Sequence, residues 1–255
     1  MSFQSSLSGI SAASQKLDVI GANVANAETV GFKESTARFS DIFFSKTATG
    51  QAGSGAAGVN MSRQFTQGGV TMSGNVLDVA INGKGFFQVM SPDGSLAYTR
   101  NGQFHTDSNM FLVTPEGDKV MGANGPIQID MTKYATSLRI SPEGLIQGSD
   151  GVTKDAAGNL ALQTLDTLQL HSFRNIDGLI PVGDNKWDVS SVTGAQVSGA
   201  PGSGILGVVQ AGATEDSNAD LGENLVSMIV AQREFQGNSQ ILQIQKDMDL
   251  SLAKL

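Results

Sequence analysis

Residues 1–33 carry an apolar pattern with a helical period. Apolar side chains recur on a heptad-like frame whose other two positions, Ser14 and Gly21, are small. Such a narrow stripe lets helices approach closely, but it is too thin to keep an isolated helix stable in water. The pattern predicts an N-terminal helix that packs either on the core of its own domain or on other helices. The apolar positions are Phe3, Leu7, Ile10, Leu17 and Val24.

The segment from about residue 220 to residue 255 has the same period and contains no proline. Asp220 and Glu223 have the spacing of a capping box, with Asp in place of the usual Ser or Thr. A continuous helix over this segment would be about 54 Å long. Two long terminal helices predict a coiled-coil stalk. The first apolar stripe of the C-terminal helix contains Leu221, Leu225, Met228 and Phe235, and a second stripe of shifted phase contains Ile241, Ile244, Met248, Leu252 and Leu255.

The centre of the chain has the alternation of β-strands. Leu77, Val79 and Ile81 share one face of the segment 76–82, and the segments 127–130 and 138–141 alternate in the same way. Glycine accounts for 31 of the 255 residues, which requires many tight turns. We therefore expect antiparallel β structure in the centre.

One turn formula occurs three times, at residues 91–94, 114–117 and 141–144. Each copy has a hydroxyl residue, then proline, an acidic residue and glycine, which is the order that a type I turn prefers. Three such turns predict a meander of short strands. The run of Gly, Ala and Ser at residues 46–60 predicts a connector between the N-terminal helix and this β region that is flexible or is ordered by a partner.

These patterns predict an α+β protein with four segments. Residues 1–32 and 216–255 are expected to be the two helices of one inner core domain. Residues 33–70 are expected to be a flexible connector, and residues 71–215 a β-rich domain.

The charge and hydropathy patterns exclude several classes of partner. The net charge is -8 and the 16 Lys and Arg residues do not cluster, so we expect no nucleic-acid partner. No run of 18 apolar residues occurs, so membrane insertion is not expected. The N-terminus has no basic and apolar signal regions, which predicts any export to proceed without a cleaved signal peptide.

The search for catalytic chemistry finds no site. Cysteine is absent, and the only histidines, His105 and His171, lie far apart with no acidic residues at metal-ligand spacing. We therefore predict no catalytic residues, no metal and no cofactor. A secreted β-rich binding module or a hydrolase with long helical ends would share this composition and is the alternative of another class.

Several segments resemble one protein family in the right order. The run SGISAASQKLDVIGANVANAETVGFK is similar to the N-terminal signature of bacterial flagellar axial proteins, in which an Asn-x-x-Asn pair precedes Thr-x-Gly-Phe. LDVAINGKGFFQV, YTRNGQF and GDNKWDV resemble landmarks of the β domain of that family. ATEDSNADLGENLVSMIVAQREFQGNSQ resembles its C-terminal helix. The motif residues are Asn23, Asn26, Thr29, Gly31 and Phe32.

Within this family, GFKESTARFSDIFF and the C-terminal block are most similar to the hook subunit. The resemblance implies a structural subunit of the flagellar hook, a helical tube that transmits motor torque to the filament. Hook proteins usually carry an additional outer domain, and the segment of about residues 145–167 is too short to supply one. A proximal or distal rod subunit of the basal body is therefore the alternative within the family.

The resemblance also implies the partners and the location. Both terminal helices would line the inner wall of a tube of identical subunits. Adjacent axial proteins (rod, hook-associated proteins and hook cap) and the flagellar type III export apparatus would be further partners, and the location would be the hook and basal body of the flagellum. The implied self-assembly seam contains Phe3, Leu7, Ile10, Leu17, Val24, Leu221, Leu225, Met228, Phe235, Leu242, Met248 and Leu252.

Overall fold

The computed structural model describes residues 3–41, 56–134, 137–149 and 162–252. Within these ranges the helices are α1 (Phe3–Ala25), α2 (Met131–Tyr134) and α3 (Leu221–Leu252), with a 3-10 turn at Ile176–Gly178. The strands in the same ranges are β1 (Ser35–Asp41), β2 (Ala56–Arg63), β3 (Val70–Met72), β4 (Val79–Asn82), β5 (Phe86–Met90), β6 (Leu96–Thr99), β7 (His105–Thr106), β8 (Leu112–Val113), β9 (Lys119–Gly122), β10 (Gly125–Pro126), β11 (Arg139–Ile140), β12 (Leu145–Gly148), β13 (Gln163–Thr167), β14 (Leu170–Phe173), β15 (Ile180–Gly183), β16 (Lys186–Asp188), β17 (Gln196–Gly199), β18 (Val208–Ala211) and β19 (Ala213–Glu215).

The described residues fall into two compact units. The helical unit lies within residues 1–27, 33–64 and 219–255, and the β unit lies within residues 28–32 and 65–218. The predicted α+β class with a central β region is confirmed. The coiled-coil geometry of the terminal helices and the four segment boundaries stay predictions.

In the helical unit, α1 packs along α3, and β1 pairs with β2 in antiparallel orientation. The strand pair lies in the segment that the sequence analysis expected to be a flexible connector. Pairing satisfies the backbone N–H and C=O groups of both strands, and it joins segments too far apart in sequence for a local pattern to reveal. Residues 42–55, which include much of the Gly, Ala and Ser run, lie outside the described residues.

The β unit contains antiparallel strands, of which β7, β8 and β9 form a consecutive meander. The main sheet has the order β15-β16-β6-β5-β9-β8-β7; β14 pairs with both β5 and β17, and β10 pairs with β9. Smaller sheets are formed by β11-β12-β13, β18-β4 and β19-β3. None of the helices in the described ranges has the length and apolar character needed to span a membrane.

The three predicted turns are confirmed. The N–H groups of Gly94, Gly117 and Gly144 donate hydrogen bonds of 2.8 to 2.9 Å to the carbonyl oxygens of the first residue of each turn. All three glycines have positive φ values, which closes hairpins of the type I turn plus bulge class. These turns join β5 to β6, β8 to β9 and β11 to β12.

Two hydrophobic clusters fill the β unit. The larger one is aliphatic with two phenylalanines, and it includes Leu77, Val79 and Ile81, which the alternation had predicted to share a face. Neighbouring Ala80 is also fully buried, so β4 is covered on both faces. The second cluster is aromatic, with edge-to-face contacts near 5.6 Å between ring centroids. Its members are Phe86, Tyr98, Phe173, Leu179 and Trp187, with Phe65 and Ile176 packed against them.

His171 on β14 is buried beside this aromatic cluster. Its ring meets the Tyr98 ring at 5.6 Å between centroids, and its Nδ1 lies 2.5 Å from Nε2 of Gln196. The Gln196 amide donates here, so Nδ1 of neutral His171 is the acceptor. Nε2 is buried and has no hydrogen-bond partner among the described residues. Burial lowers the pKa of His171 from 6.5 to about 4.

The first prediction concerns acid stability. Between pH 6.5 and about 4 the unfolded chain binds a proton at His171 that the folded chain does not bind. The free energy of unfolding of the β unit therefore falls as the pH falls through this window, by about 3 kcal/mol. Denaturant titrations followed by Trp187 fluorescence measure it. The variant His171→Phe should have a flatter pH dependence in this window, and an equal slope in both proteins would contradict the assignment.

Candidate self-assembly site and N-terminal motif

The helices α1 and α3 of the helical unit run antiparallel. Contacts near the end of α1 involve the beginning of α3, and contacts near the beginning of α1 involve the later turns of α3. A Cβ atom on Gly9 would lie 2.9 Å from Asn238 Nδ2, so the helices approach closely where the side chain is absent. The contacting pairs are Asn23 with Asn224, Lys16 with Glu234, and Gly9 with Asn238.

The buried side chains of the two helices are mostly small or polar. Ala13 on α1 and Ala231 on α3 are buried, and Ala231 is completely inaccessible. Val19 and Ile20 are the larger apolar side chains that α1 buries. The face of α1 that is buried in the single chain is therefore displaced from the predicted apolar seam.

The predicted seam residues of α1 remain accessible to different degrees. Leu7 is 52% exposed, whereas Ile10, Leu17 and Val24 are partly buried. The side chain of Phe3 lies outside the described residues. The structure thus leaves this seam uncovered in part, and its role in self-assembly stays a prediction.

The seam residues of α3 divide in the same way. Met228 and Leu242 are partly buried, whereas Leu221, Leu225, Phe235 and Met248 are exposed. The side chain of Leu252 lies outside the described residues. The predicted start of this helix is confirmed, since the Glu223 N–H donates to Asp220 Oδ1 at 2.9 Å. Sequence analysis missed four exposed apolar residues on α3, which are Val226, Ile229, Val230 and Leu250.

A buried polar cluster joins three elements of the helical unit. Asn23 Nδ2 donates to Asn224 Oδ1 at 3.2 Å and to the Ser35 carbonyl oxygen at 2.8 Å. The Ser35 N–H donates back to Asn23 Oδ1 at 3.0 Å, and Glu34 Oε1 accepts from Asn224 Nδ2 at 3.1 Å. The Asn23 amide therefore bridges backbone and side-chain polar groups. The cluster holds α1, β1 and α3 together.

The second half of the motif lies in the β unit. The Gly31 N–H donates to the Glu215 carbonyl oxygen at 2.7 Å, and Asn185 Nδ2 donates to the Val30 carbonyl oxygen at 3.2 Å. The Phe32 N–H closes a turn on the Thr29 carbonyl oxygen at 3.2 Å. Asn26 differs from Asn23, because its Nδ2 donates to Ala22 within α1 at 2.8 Å. The two asparagines of the motif therefore make different contacts.

Gly31 is required for two separate reasons. Its φ of +71° lies in the left-handed region that side chains rarely adopt. A Cβ atom at this position would also lie 2.6 Å from the Asn101 nitrogen and 2.8 Å from the Arg100 carbonyl carbon. Both obstacles are backbone atoms, which side-chain rotation cannot move.

Glu215 and Arg100 form a buried ion pair in the β unit. Arg100 Nη1 lies 3.0 Å from Glu215 Oε2, and Arg100 Nη2 donates to the Gly83 carbonyl oxygen at 2.8 Å. Glu215 is completely inaccessible. Burial lowers the pKa of Arg100, and the neighbouring Glu215 carboxylate opposes that change. Sequence analysis missed this pair, although both residues lie inside quoted motifs, YTRNGQF and ATEDSNAD.

The contacts of Asn23, Gly31 and Glu215 hold separate segments of the chain together. The described residues contain no group of three or more His, Asp or Glu side chains placed to hold a metal ion. His105 is exposed on β7 and His171 is buried on β14, in different parts of the main sheet.

The second prediction tests the fit of the motif. Gly31→Ala should release residues 28–32 from the β unit and lower the free energy of unfolding by about 2 kcal/mol or more. Hydrogen exchange of the Gly31 region and thermal unfolding measure these effects. Gly74→Ala is the matched control, since Gly74 has a φ of +77° and a Cβ atom there would have no neighbouring atom within 4 Å. Equal effects of the two substitutions would show that the close approach to Asn101 is unimportant.

Comparisons with known proteins agree with this architecture. The family described as "Flagella basal body rod protein" matches residues 3–33, the family "Flagellar hook protein FlgE/F/G D1 domain" matches residues 80–148, and the family "Flagellar basal body rod FlgEFG protein C-terminal" matches residues 210–255. These matches include α1 with the motif, part of the β unit, and α3.

Full-length relatives give the same result. The flagellar basal-body rod protein FlgG of Bacillus subtilis is 36% identical, over 94% of this chain and 93% of the relative. The FlgG protein of Caulobacter vibrioides is 34% identical, over 92% and 91%. The flagellar hook protein FlgE of Salmonella typhimurium is 26% identical, over 100% of both chains. The chain therefore belongs to the family of flagellar axial proteins that contains the rod and hook subunits.

Proposed function

We propose that the chain is a structural subunit of the flagellar rod that assembles with identical copies into a helical tube. The FlgG rod proteins align with more than 90% of this chain and of their own length. The alignment with the Salmonella hook protein has 406 positions for the 255 residues here, so at least 151 of them (406 less 255) have no residue of this chain. The chain thus matches the rod proteins over nearly their whole length and lacks a large part of the hook protein, which supports a rod subunit.

A hook subunit is the second candidate, and it was the one that the sequence analysis favoured. The hook protein of Salmonella aligns with the whole chain, and the family description over residues 80–148 names the hook protein. In this role the polymer would transmit motor torque to the filament. The comparisons support the family and do not distinguish the hook specifically.

The self-assembly part of the proposal depends on the outer surface of α3. At 100° per residue, the exposed apolar side chains of its first three turns cover roughly half of the helix circumference. Val226 is 62% exposed and Ile229 is 53% exposed. This apolar surface stays exposed although α3 already packs on α1. It therefore supports the proposal that identical neighbours in a polymer bury it. The exposed residues are Leu221, Leu225, Val226, Ile229 and Val230.

We include the coiled-coil geometry of the helix pair in the proposal. The residues of α1 that are buried or contact α3 recur at alternating intervals of three and four, and those of α3 that are buried or contact α1 include three that recur every seven residues, which is the spacing of a coiled coil. These positions are Ser6, Gly9, Ala13, Lys16, Ile20 and Asn23 on α1, and Asn224, Ala231 and Asn238 on α3.

The remaining partners are proposed because residues 21–33 resemble the N-terminal signature of the flagellar axial proteins and because the chain belongs to that family. They are adjacent axial proteins of the flagellum and its type III export apparatus. Export without a cleaved signal peptide belongs to the same proposal. The location would be the basal body or the hook.

The third prediction tests the assembly surface. Ile229→Asp places a charge where neighbouring subunits are proposed to bury an apolar side chain, at a cost of at least about 3 kcal/mol per contact, or roughly a hundredfold in the association constant. We expect polymerisation of the purified chain to be lost. The thermal transition of the β unit should not change, because Ile229 belongs to the helical unit. Negative-stain imaging and light scattering measure the polymer.

The matched control is Gln236→Asp, an exposed polar position on the same helix. It should polymerise like the unsubstituted chain. Phe235→Asp, at a seam position that is 36% exposed, should behave like Ile229→Asp. Normal polymers from Ile229→Asp would contradict the assignment of this surface.

The fourth prediction separates rod from hook. Deleting the gene should leave basal bodies with an incomplete rod and no hook, because later parts of an axial structure are built on earlier ones. Imaging of isolated basal bodies measures this, and a plasmid copy of the gene should restore the rod. Basal bodies with a complete rod that lack only the hook would favour the hook subunit.

A further inference from the structure

The chain passes between the helical unit and the β unit at four places, which follow residues 27, 32, 64 and 218. Three segments of the β unit therefore carry all of the covalent connections, namely residues 28–32, the stretch that begins at residue 65, and the stretch that ends at residue 218. The contacts that hold these three segments within the β unit determine the points at which the chain leaves that unit.

The three segments are hydrogen-bonded to one another inside the β unit. Asn218 Nδ2 donates to Thr66 Oγ1 at 2.8 Å, and the Asn218 N–H donates to the Phe32 carbonyl oxygen at 3.4 Å. The Asp216 N–H donates to the Gly69 carbonyl oxygen at 2.7 Å. The last segment thus contacts both of the others.

Glu215 is the residue that reaches all of these segments. Its carbonyl oxygen accepts from the Gly31 N–H at 2.7 Å, and its Oε1 accepts from the Gly68 N–H at 3.1 Å. Its Oε2 lies 3.0 Å from Arg100 Nη1. Arg100 is fixed in turn by the Gly83 carbonyl oxygen and by the face of the Phe86 ring, 5.3 Å from its guanidinium carbon. The carboxylate is therefore held in one position by the core of the sheet.

A buried ion pair contributes little net stability, because desolvation of both charges offsets their attraction. Arg100 Nε is also buried and has no hydrogen-bond partner among the described residues. An apolar pair of similar length would fill the same space without these costs.

We propose that Glu215, held by Arg100, is a positioning residue that keeps the three connecting segments at a fixed spacing, and that it thereby sets the bending stiffness of the assembled polymer. This proposal rests on the proposed self-assembly. The covalent connections between the two units of each subunit begin and end in these segments. Loosening their attachment to the β unit makes each subunit more deformable, and the effect repeats along the polymer.

The test uses the full chain with Arg100→Met and Glu215→Met together. Methionine matches glutamate in length and is two atoms shorter than arginine, and the desolvation cost of both charges is removed with them, so the thermal transition of the β unit should stay close to that of the unsubstituted chain. Hydrogen exchange at Gly68 should accelerate by about tenfold, since the carboxylate acceptor is lost, and exchange across residues 28–32 should accelerate as well, since the residue whose carbonyl oxygen accepts from the Gly31 N–H is no longer anchored by its side chain. Polymers should still form, with a shorter persistence length in electron micrographs.

Two further variants complete the design. Asp118→Asn weakens another ion pair of the β unit, in which Lys186 Nζ lies 2.6 Å from Asp118 Oδ2, and it should change neither the exchange of residues 28–32 nor the stiffness. Glu215→Gln removes the charge but keeps the shape, and it should accelerate the same exchange even if the double variant does not fold.

The proposal would be overturned if the double variant, or Glu215→Gln, had the same hydrogen exchange as the unsubstituted chain and formed polymers of the same stiffness. Equal softening by Asp118→Asn would also overturn it, because any weakened ion pair would then have the effect. If the unsubstituted chain does not polymerise, the proposed self-assembly fails. The exchange measurement on single chains still tests the positioning by Glu215 in that case.

Discussion

The close approach of α1 to α3 through small side chains is the constraint on which the helical unit depends. Ala13 and Ala231 are buried, and Gly9 lies against the Asn238 side chain, which a Cβ atom at position 9 would have to displace. Small side chains bury little apolar area, and the hydrophobic stabilisation is proportional to that area. The pair is therefore supported by polar contacts, above all by Asn23 and its partners. Large apolar side chains such as Ile229 are left on the outer surface of α3.

The β unit has a different energetic basis. It encloses a continuous aliphatic core and an aromatic cluster, and tight hairpins with glycine at positive φ connect its strands. Residues such as Val79, Ile81 and Phe87 are completely inaccessible. The β unit therefore has the packing of an independently stable domain. The contrast between the two units indicates that stability of the single chain lies mainly in the β unit, and that the helical unit leaves large apolar side chains exposed.

The N-terminal motif contributes to both units. Asn23 is buried in the helical unit and bonds to Asn224 and the Ser35 backbone, whereas Gly31 belongs to the β unit and fits against the backbone of Asn101. An amide is suited to the first position because it donates and accepts at once. Only glycine is suited to the second, since both its φ and the neighbouring backbone exclude a side chain. A short motif thus combines a polar contact with a steric requirement.

The sequence by itself determined the features that arise from local chemistry. Helical periodicity gave both terminal helices, the capping residue Asp220 marked the start of α3, and three Pro-acid-Gly segments gave three hairpin turns. The family followed from motifs in the right order. The tertiary structure alone decided which residues meet across long separations, including Asn23 with Glu34 and Asn224, Glu215 with Arg100, and β1 with β2. Local patterns report the preference of a segment for helix, strand or turn. The partner of a buried polar group is decided by chain folding, because its desolvation cost is offset only where distant segments bring a complementary group to it.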